Sequence, residues 1–112
     1  FYIFLNNDDR NYVEPDLSVI CNPSILDEKG CHGAPDWIIE IVSPSSERMD
    51  YVVKTFKYRT AGVREYWVID QTLQKVTVFD FENDNMFEYD FTQKIPVLIY
   101  DGELEIDLSR FI

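Results

Sequence analysis

Histidine, cysteine and basic side chains are scarce in this chain, and each shortage closes off a class of function. One His and two Cys stand among 112 residues. Cys21 and Cys31 do not have the spacing of a zinc knuckle, and His32 beside Cys31 leaves no four-ligand set. Free thiols in a reducing cytoplasm are the expectation instead. Lys and Arg number 10 against 21 Asp and Glu, for a formal net charge of −11. A protein that coats nucleic acid by neutralising phosphates carries the opposite sign, so a simple DNA-coating role is excluded. The acidity suits a protein that binds divalent cations, or equally a plain acidic domain. No apolar run approaches membrane-spanning length and no signal-peptide pattern is visible, so no membrane partner is expected. Internal repeats and low-complexity segments are lacking as well.

What is present is a core. Apolar residues make up 46% of the chain, with eight Phe and seven Tyr, which rules out a disordered tail. The length suits one domain, 1–112. The chain opens without Met on FYIFL, which reads as the middle of a strand, so an N-terminally truncated fragment is expected.

The stretch at 33–54, GAPDWIIEIVSPSSERMDYVVK, organises the rest. Trp37, Ile39 and Ile41 alternate with Ile38, Glu40 and Val42, so a strand through 37–42 is apolar on both faces and belongs inside a covered sheet. Glu40 then shares a layer with Ile38 and Val42. An ionised carboxylate there is costly unless it meets a cation, a metal or several donors. SPSS breaks the strand, and Ser45 or Ser46 can cap a helix over 46–61, with Glu47 and Asp50 in its favourable first turns. Met49, Val52, Val53, Phe56 and Thr60 form a stripe predicted to face the core. Gly62 is the natural stop.

Around this centre, residues 1–5 and 12–21 read as strands, with Pro15 interrupting the pairing of the second. Residues 22–35 read as a loop with a helical turn at Ser24–Asp27. Residues 65–70 form a second interior strand, so strand, helix and strand make a parallel βαβ unit. Residues 75–81, 86–91 and 104–108 alternate between polar turns and are predicted to form an antiparallel meander, with 96–100 between. The fold class is α/β: a mixed sheet with one main helix.

Three groups could converge chemically. Asp16 follows Pro15, Glu40 sits in the interior strand, and Lys54 lies two turns into the helix. Two carboxylates with a lysine in reach can hold a divalent cation and handle an attacking water. Hard oxygen ligands favour Mg²⁺ or Mn²⁺ over zinc. Each has a plain structural reading too. Asp16 suits a strand-start turn, and Glu40 a buried ion pair. Asp50, Lys54 and Tyr58, spaced four apart, suit a solvated helix stripe. Asp70 is a third acid or a turn residue, and Asp36, in a second Pro-Asp pair, a strand-start residue or an auxiliary acid.

Four motifs in order resemble a known family. VEPDLSVI at 13–20, GAPDWIIEIVSPSS at 33–46, D-x-x-x-K-x-x-x-Y at 50–58 and GVREYWVID at 62–70 are similar to the Uma-two family. That family comprises bacterial proteins classed as endonucleases within the PD-(D/E)xK restriction-endonuclease-like superfamily. The resemblance implies a restriction-endonuclease-like fold, a Mg²⁺- or Mn²⁺-dependent endonuclease, and nucleic acid, DNA in the first instance, as substrate. It places Asp16 and Glu40 as the metal-binding acids and Lys54 as the catalytic lysine. The wider superfamily carries its lysine two residues after the second acid, where Val42 stands here, so the resemblance implies relocation to the helix. It also implies that an N-terminal segment carried by family members is missing. The rival reading is an inactive nuclease-fold interaction module, pairing as a homodimer through exposed strands.

Overall fold

The computed structural model describes residues 2–5, 13–42 and 48–112, with backbone alone for 48–51. Along these the chain runs β1 (Ile3–Phe4), β2 (Leu17–Val19), β3 (Leu26–Asp27), β4 (Gly30–His32), β5 (Trp37–Val42), α1 (Arg48–Ala61), β6 (Glu65–Asp70), β7 (Lys75–Asp80), β8 (Asn85–Asp90), β9 (Lys94–Pro96) and β10 (Glu105–Asp107). The main sheet has the order β2-β5-β6-β7-β8. β5 and β6 pair in parallel from Trp37↔Glu65 to Val42↔Asp70, with α1 as their crossover. This is the βαβ unit the alternating apolar runs predict. β2, β7 and β8 add antiparallel on either side. β2 begins only at Leu17, after Pro15, and forms an edge, as a residue with no N–H to give the ladder requires.

Both faces of the sheet are covered, because β5 and β6 are apolar on both. On one face Ile38, Tyr66 and Val68 pack with Tyr58 of α1 and with Ile3, Leu5 and Cys31. On the other, Trp37, Ile39, Trp67, Val76 and Val78 pack with Phe91, Ile95 and Val97.

Several expectations are corrected. α1 ends as predicted: Gly62 adopts φ +98°, the Gly62 N–H reaches Arg59 O and the Val63 N–H reaches Tyr58 O, a Schellman closure. The expected start at 46–47, with its Ser45 or Ser46 cap and Glu47, lies outside the described residues. The stripe predicted for the core, however, faces solvent. Val52 and Val53 are each 59% exposed, Phe56 is 71% exposed and Thr60 is exposed as well; the side chain of Met49 lies outside the described set. At about 100° per residue, these positions lie opposite Tyr58, which is fully buried. The helix turns its polar-tipped face down because a carboxylate lies beneath it, and the apolar face has no donor to offer.

The region 22–35 is more ordered than a loop. A 3₁₀ turn at Pro23–Ile25 is capped by Asn22. It stops before Leu26 and Asp27, which are in strand β3 rather than in the predicted helical turn. β3 and β4 make a hairpin closed by the Asp27 carboxylate, which accepts the N–H groups of Lys29 and Gly30. β1 joins β4 in parallel, giving a separate small sheet. Of the strand predicted at 12–21, only β2 and a bridge from Val13 to Ile3 form, Tyr12 lying outside the described residues. At the other end, β7 and β8 pair antiparallel as the first two strands of the predicted meander, with β7 joined to β6, but β10 does not extend it. It pairs with β9 in a hairpin of its own. Glu65 diverts the chain there by accepting the N–H groups of Leu98 and Ile99. No helix among the described residues is long and apolar enough to cross a membrane.

Candidate active site

Strand alternation puts Glu40 on the helix-covered face of β5 with Ile38 and Val42, and ladder register sets it beside Val68 of β6. It is 5% exposed. On the opposite flank, β2 pairs Leu17 with Ile39. Continuing that register by one residue brings Asp16 opposite Glu40. Asp16 is itself exposed, and its Oδ2 accepts the Ile41 N–H at 2.7 Å. A side-chain oxygen thus takes the place of a ladder carbonyl just beyond Pro15, which fixes Asp16 at the edge of β5.

α1 supplies the remaining groups from above. Lys54 Nζ lies 3.7 Å from Glu40 Oε2, and one turn later the Tyr58 hydroxyl donates to Glu40 Oε1 at 2.8 Å. The structure therefore brings Asp16, Glu40 and Lys54 together. Tyr58 is the fourth member, which the sequence left on a solvated stripe; its four-residue step from Lys54 was the available signal. Burial is the largest influence on Glu40 and raises its pKa above the ordinary value. Tyr58 and Lys54 offset part of that rise, and the nearby Asp16 charge adds to it. A buried acid that resists ionisation beside a second acid is the sort of strain that a bound cation relieves.

The other candidate acids do structural work elsewhere. Asp36 starts β5, accepts the Cys21 N–H and pairs with Arg64 at 3.1 Å. Asp70 closes a turn by accepting the N–H groups of Thr72 and Leu73. Val42 packs into the apolar cluster on the helix side, so the strand position that carries a lysine in the wider superfamily is core here. His32 pairs with Asp27 at 2.8 Å and stacks on Phe4, and Cys31 is buried, which absorbs both into the small sheet. Among the described residues no group of three or more His, Cys, Asp or Glu converges on a cation site.

The sequence model of the Uma2 family, described as "Putative restriction endonuclease", matches residues 2–108. The chain belongs to the Uma2 family. It is the same family, Uma-two, that the four motifs resemble, and this match spans β1 to β10. Among solved structures, the Uma2 chain is similar to a protein described as a "putative nuclease" from Anabaena variabilis ATCC 29413, with a TM-score of 0.69 and 26% identity over 89% of this chain. The chain spans 59% of that protein's length. The fold is thus restriction-endonuclease-like: a mixed sheet with one main helix. No curated protein matches.

Proposed function

We propose that this Uma2 chain carries the centre of a metal-dependent endonuclease that hydrolyses nucleic-acid phosphodiester bonds, with DNA as the first substrate to test. The observation that carries the reading is the convergence on Glu40, in β5, of Asp16, at the entry to β2, and of Lys54 and Tyr58, both from α1. Asp16 and Glu40 fit Mg²⁺ or Mn²⁺, because both offer hard carboxylate oxygens and two such ligands leave room for water and phosphate oxygens. When bound, such a cation polarises a phosphoryl oxygen and promotes ionisation of a bound water. Lys54, a third of whose side chain is exposed, holds its ammonium at the mouth of the site. There it can orient the attacking water and stabilise charge that develops on the phosphate. Asp16 and Glu40 repel the substrate backbone unless a cation lies between them, so hydrolysis is expected to depend strictly on metal. Cys21 and Cys31 are free thiols, which suits a reducing cytoplasm.

The test is cleavage of supercoiled plasmid and of matched DNA and RNA oligonucleotides in Mg²⁺, in Mn²⁺ and in EDTA. Cleavage by the parent in metal, abolished in Glu40→Ala and in EDTA, is expected. Full activity in purified Glu40→Ala protein would remove the assignment.

One observation favours a second reading, a nuclease-fold module that associates without cutting: the exposed apolar face of α1 at Val52, Val53 and Phe56. Sedimentation equilibrium tests the association, since a homodimer held by that face dissociates in Phe56→Glu; no cleavage by the parent in metal is what separates this reading from the first.

A further inference from the structure

Each of the two acids at the site accepts a close hydrogen bond through one oxygen. Asp16 is held through Oδ2 by the Ile41 N–H, and Glu40 through Oε1 by the Tyr58 hydroxyl. The first restraint comes from the backbone. The second comes from a side chain whose own placement is fixed on several sides. The Tyr58 ring is fully buried and meets Tyr66 edge-on, with centroids 5.0 Å apart and planes at 64°. Tyr66 in turn stacks on Phe79 at 5.7 Å and on Phe81 at 6.2 Å, so a row of rings backs Tyr58 across the sheet. Its backbone carbonyl also accepts the Val63 N–H that closes α1. A Glu side chain has a broad terminal torsion and would otherwise choose among several carboxylate orientations. A hydroxyl held this firmly selects one.

We propose that Tyr58 is the positioning residue of the site: its hydroxyl takes Glu40 Oε1, and so presents Oε2 alone to Lys54 and to a divalent cation. The role rests on the metal-dependent reading given above. It makes Glu40 a one-oxygen ligand and leaves Glu40 Oε2 and Asp16 Oδ1 to act as a pair. Tyr58 touches neither substrate nor metal and acts only through Glu40, as outer-shell partners of metal ligands do.

The experiment is a calorimetric Mn²⁺ titration of the whole chain beside Tyr58→Phe and Glu40→Ala, with thermal melts of all three in EDTA. Tyr58→Phe keeps the ring and its packing and removes only the hydroxyl. The expected result is saturable binding in the parent, affinity lower by about tenfold or more in Tyr58→Phe, and none in Glu40→Ala, with the Tyr58→Phe protein still folded. Equal affinity in the parent and Tyr58→Phe overturns the positioning role while leaving the metal site standing, and a lowered melting point without weaker binding does the same. No saturable binding in the parent overturns the metal-dependent reading and this role with it.

Discussion

Lys54 Nζ stands 3.7 Å from Glu40 Oε2, beyond hydrogen-bond length, with the lysine a third exposed and the glutamate nearly buried. A charge-assisted pair built for stability closes to about 2.8 Å. This one stays open, and burial still raises the Glu40 pKa above its ordinary 4.5. An acid whose folded pKa lies above its unfolded value is best tolerated below that unfolded value. Its ionisation then subtracts stability as pH rises through the folded pKa. Glu40→Gln is therefore expected to match or exceed the parent's melting temperature at pH 7, with the difference vanishing towards pH 4. Melts from pH 4 to 8 in EDTA check this, and a clear loss at pH 7 would make the pair structural.

Glu65 is a second buried carboxylate, 1% exposed, and it has no cation among its hydrogen-bond partners. It accepts the Trp67 indole N–H at 2.7 Å and the N–H groups of Leu98 and Ile99 at 3.1 and 2.9 Å. Three donors at once satisfy its carboxylate oxygens in an otherwise apolar face. Glu65→Ala orphans all three and releases the chain leading to β10. A loss of about 3–5 kcal/mol in urea unfolding is expected, with Glu65→Gln losing distinctly less. Metal binding at Glu40, on the other face of the sheet, is expected to be unaffected so long as the protein folds.

The two interior strands were legible in the sequence, because 37–42 and 65–70 are short runs, apolar on both faces and rich in β-branched and aromatic residues, between turn signals. The convergence of Asp16, Glu40 and Lys54 was legible because motif order tied them together, although each alone also reads as a structural residue. Tyr58 closes the same motif, but its burial against Glu40 was not legible, since its spacing from Lys54 fits an exposed stripe as well as a buried one. The buried face of α1 is the opposite of the one its apolar stripe indicates, for a related reason. Periodicity offers two opposite faces and the apolar one is the default for a core, but a buried carboxylate beneath the helix demands donors. Glu65 could not be read either: two of its partners come 33 and 34 residues later. The β3–β4 hairpin was lost among turn residues, because its strands are two and three residues long.

Gly30 is where β4 passes under the first strand. It has φ +145°, and a Cβ there would sit 2.2 Å from Tyr2 O, a backbone atom that cannot swing aside. The same carbonyl accepts the Cys31 N–H at 2.8 Å. Gly30→Ala is expected to separate β1 from β4 and to cost about 2–4 kcal/mol, by the strain of a forbidden φ and the loss of buried pairing. Hydrogen exchange at the Cys31 and Gly33 amides should report the loss locally before global unfolding does. Unchanged protection there would mean that the β1–β4 pairing does not depend on this close approach.

Phe56 and Tyr58 are two residues apart on one helix and give the sharpest contrast. Phe56 is 71% exposed and Tyr58 fully buried, the reverse of what hydrophobicity alone assigns. Phe56→Ser removes an aromatic ring that the fold scarcely covers, and a change within about 0.5 kcal/mol is expected. Tyr58→Ala opens a cavity against Tyr66 and strips a donor from Glu40, so about 3–5 kcal/mol is expected. Urea unfolding of both variants, each at a low and a high protein concentration, decides it. If Phe56→Ser costs as much as Tyr58→Ala, the outward face of α1 is covered in solution. If its cost instead grows with protein concentration, a second copy provides that cover.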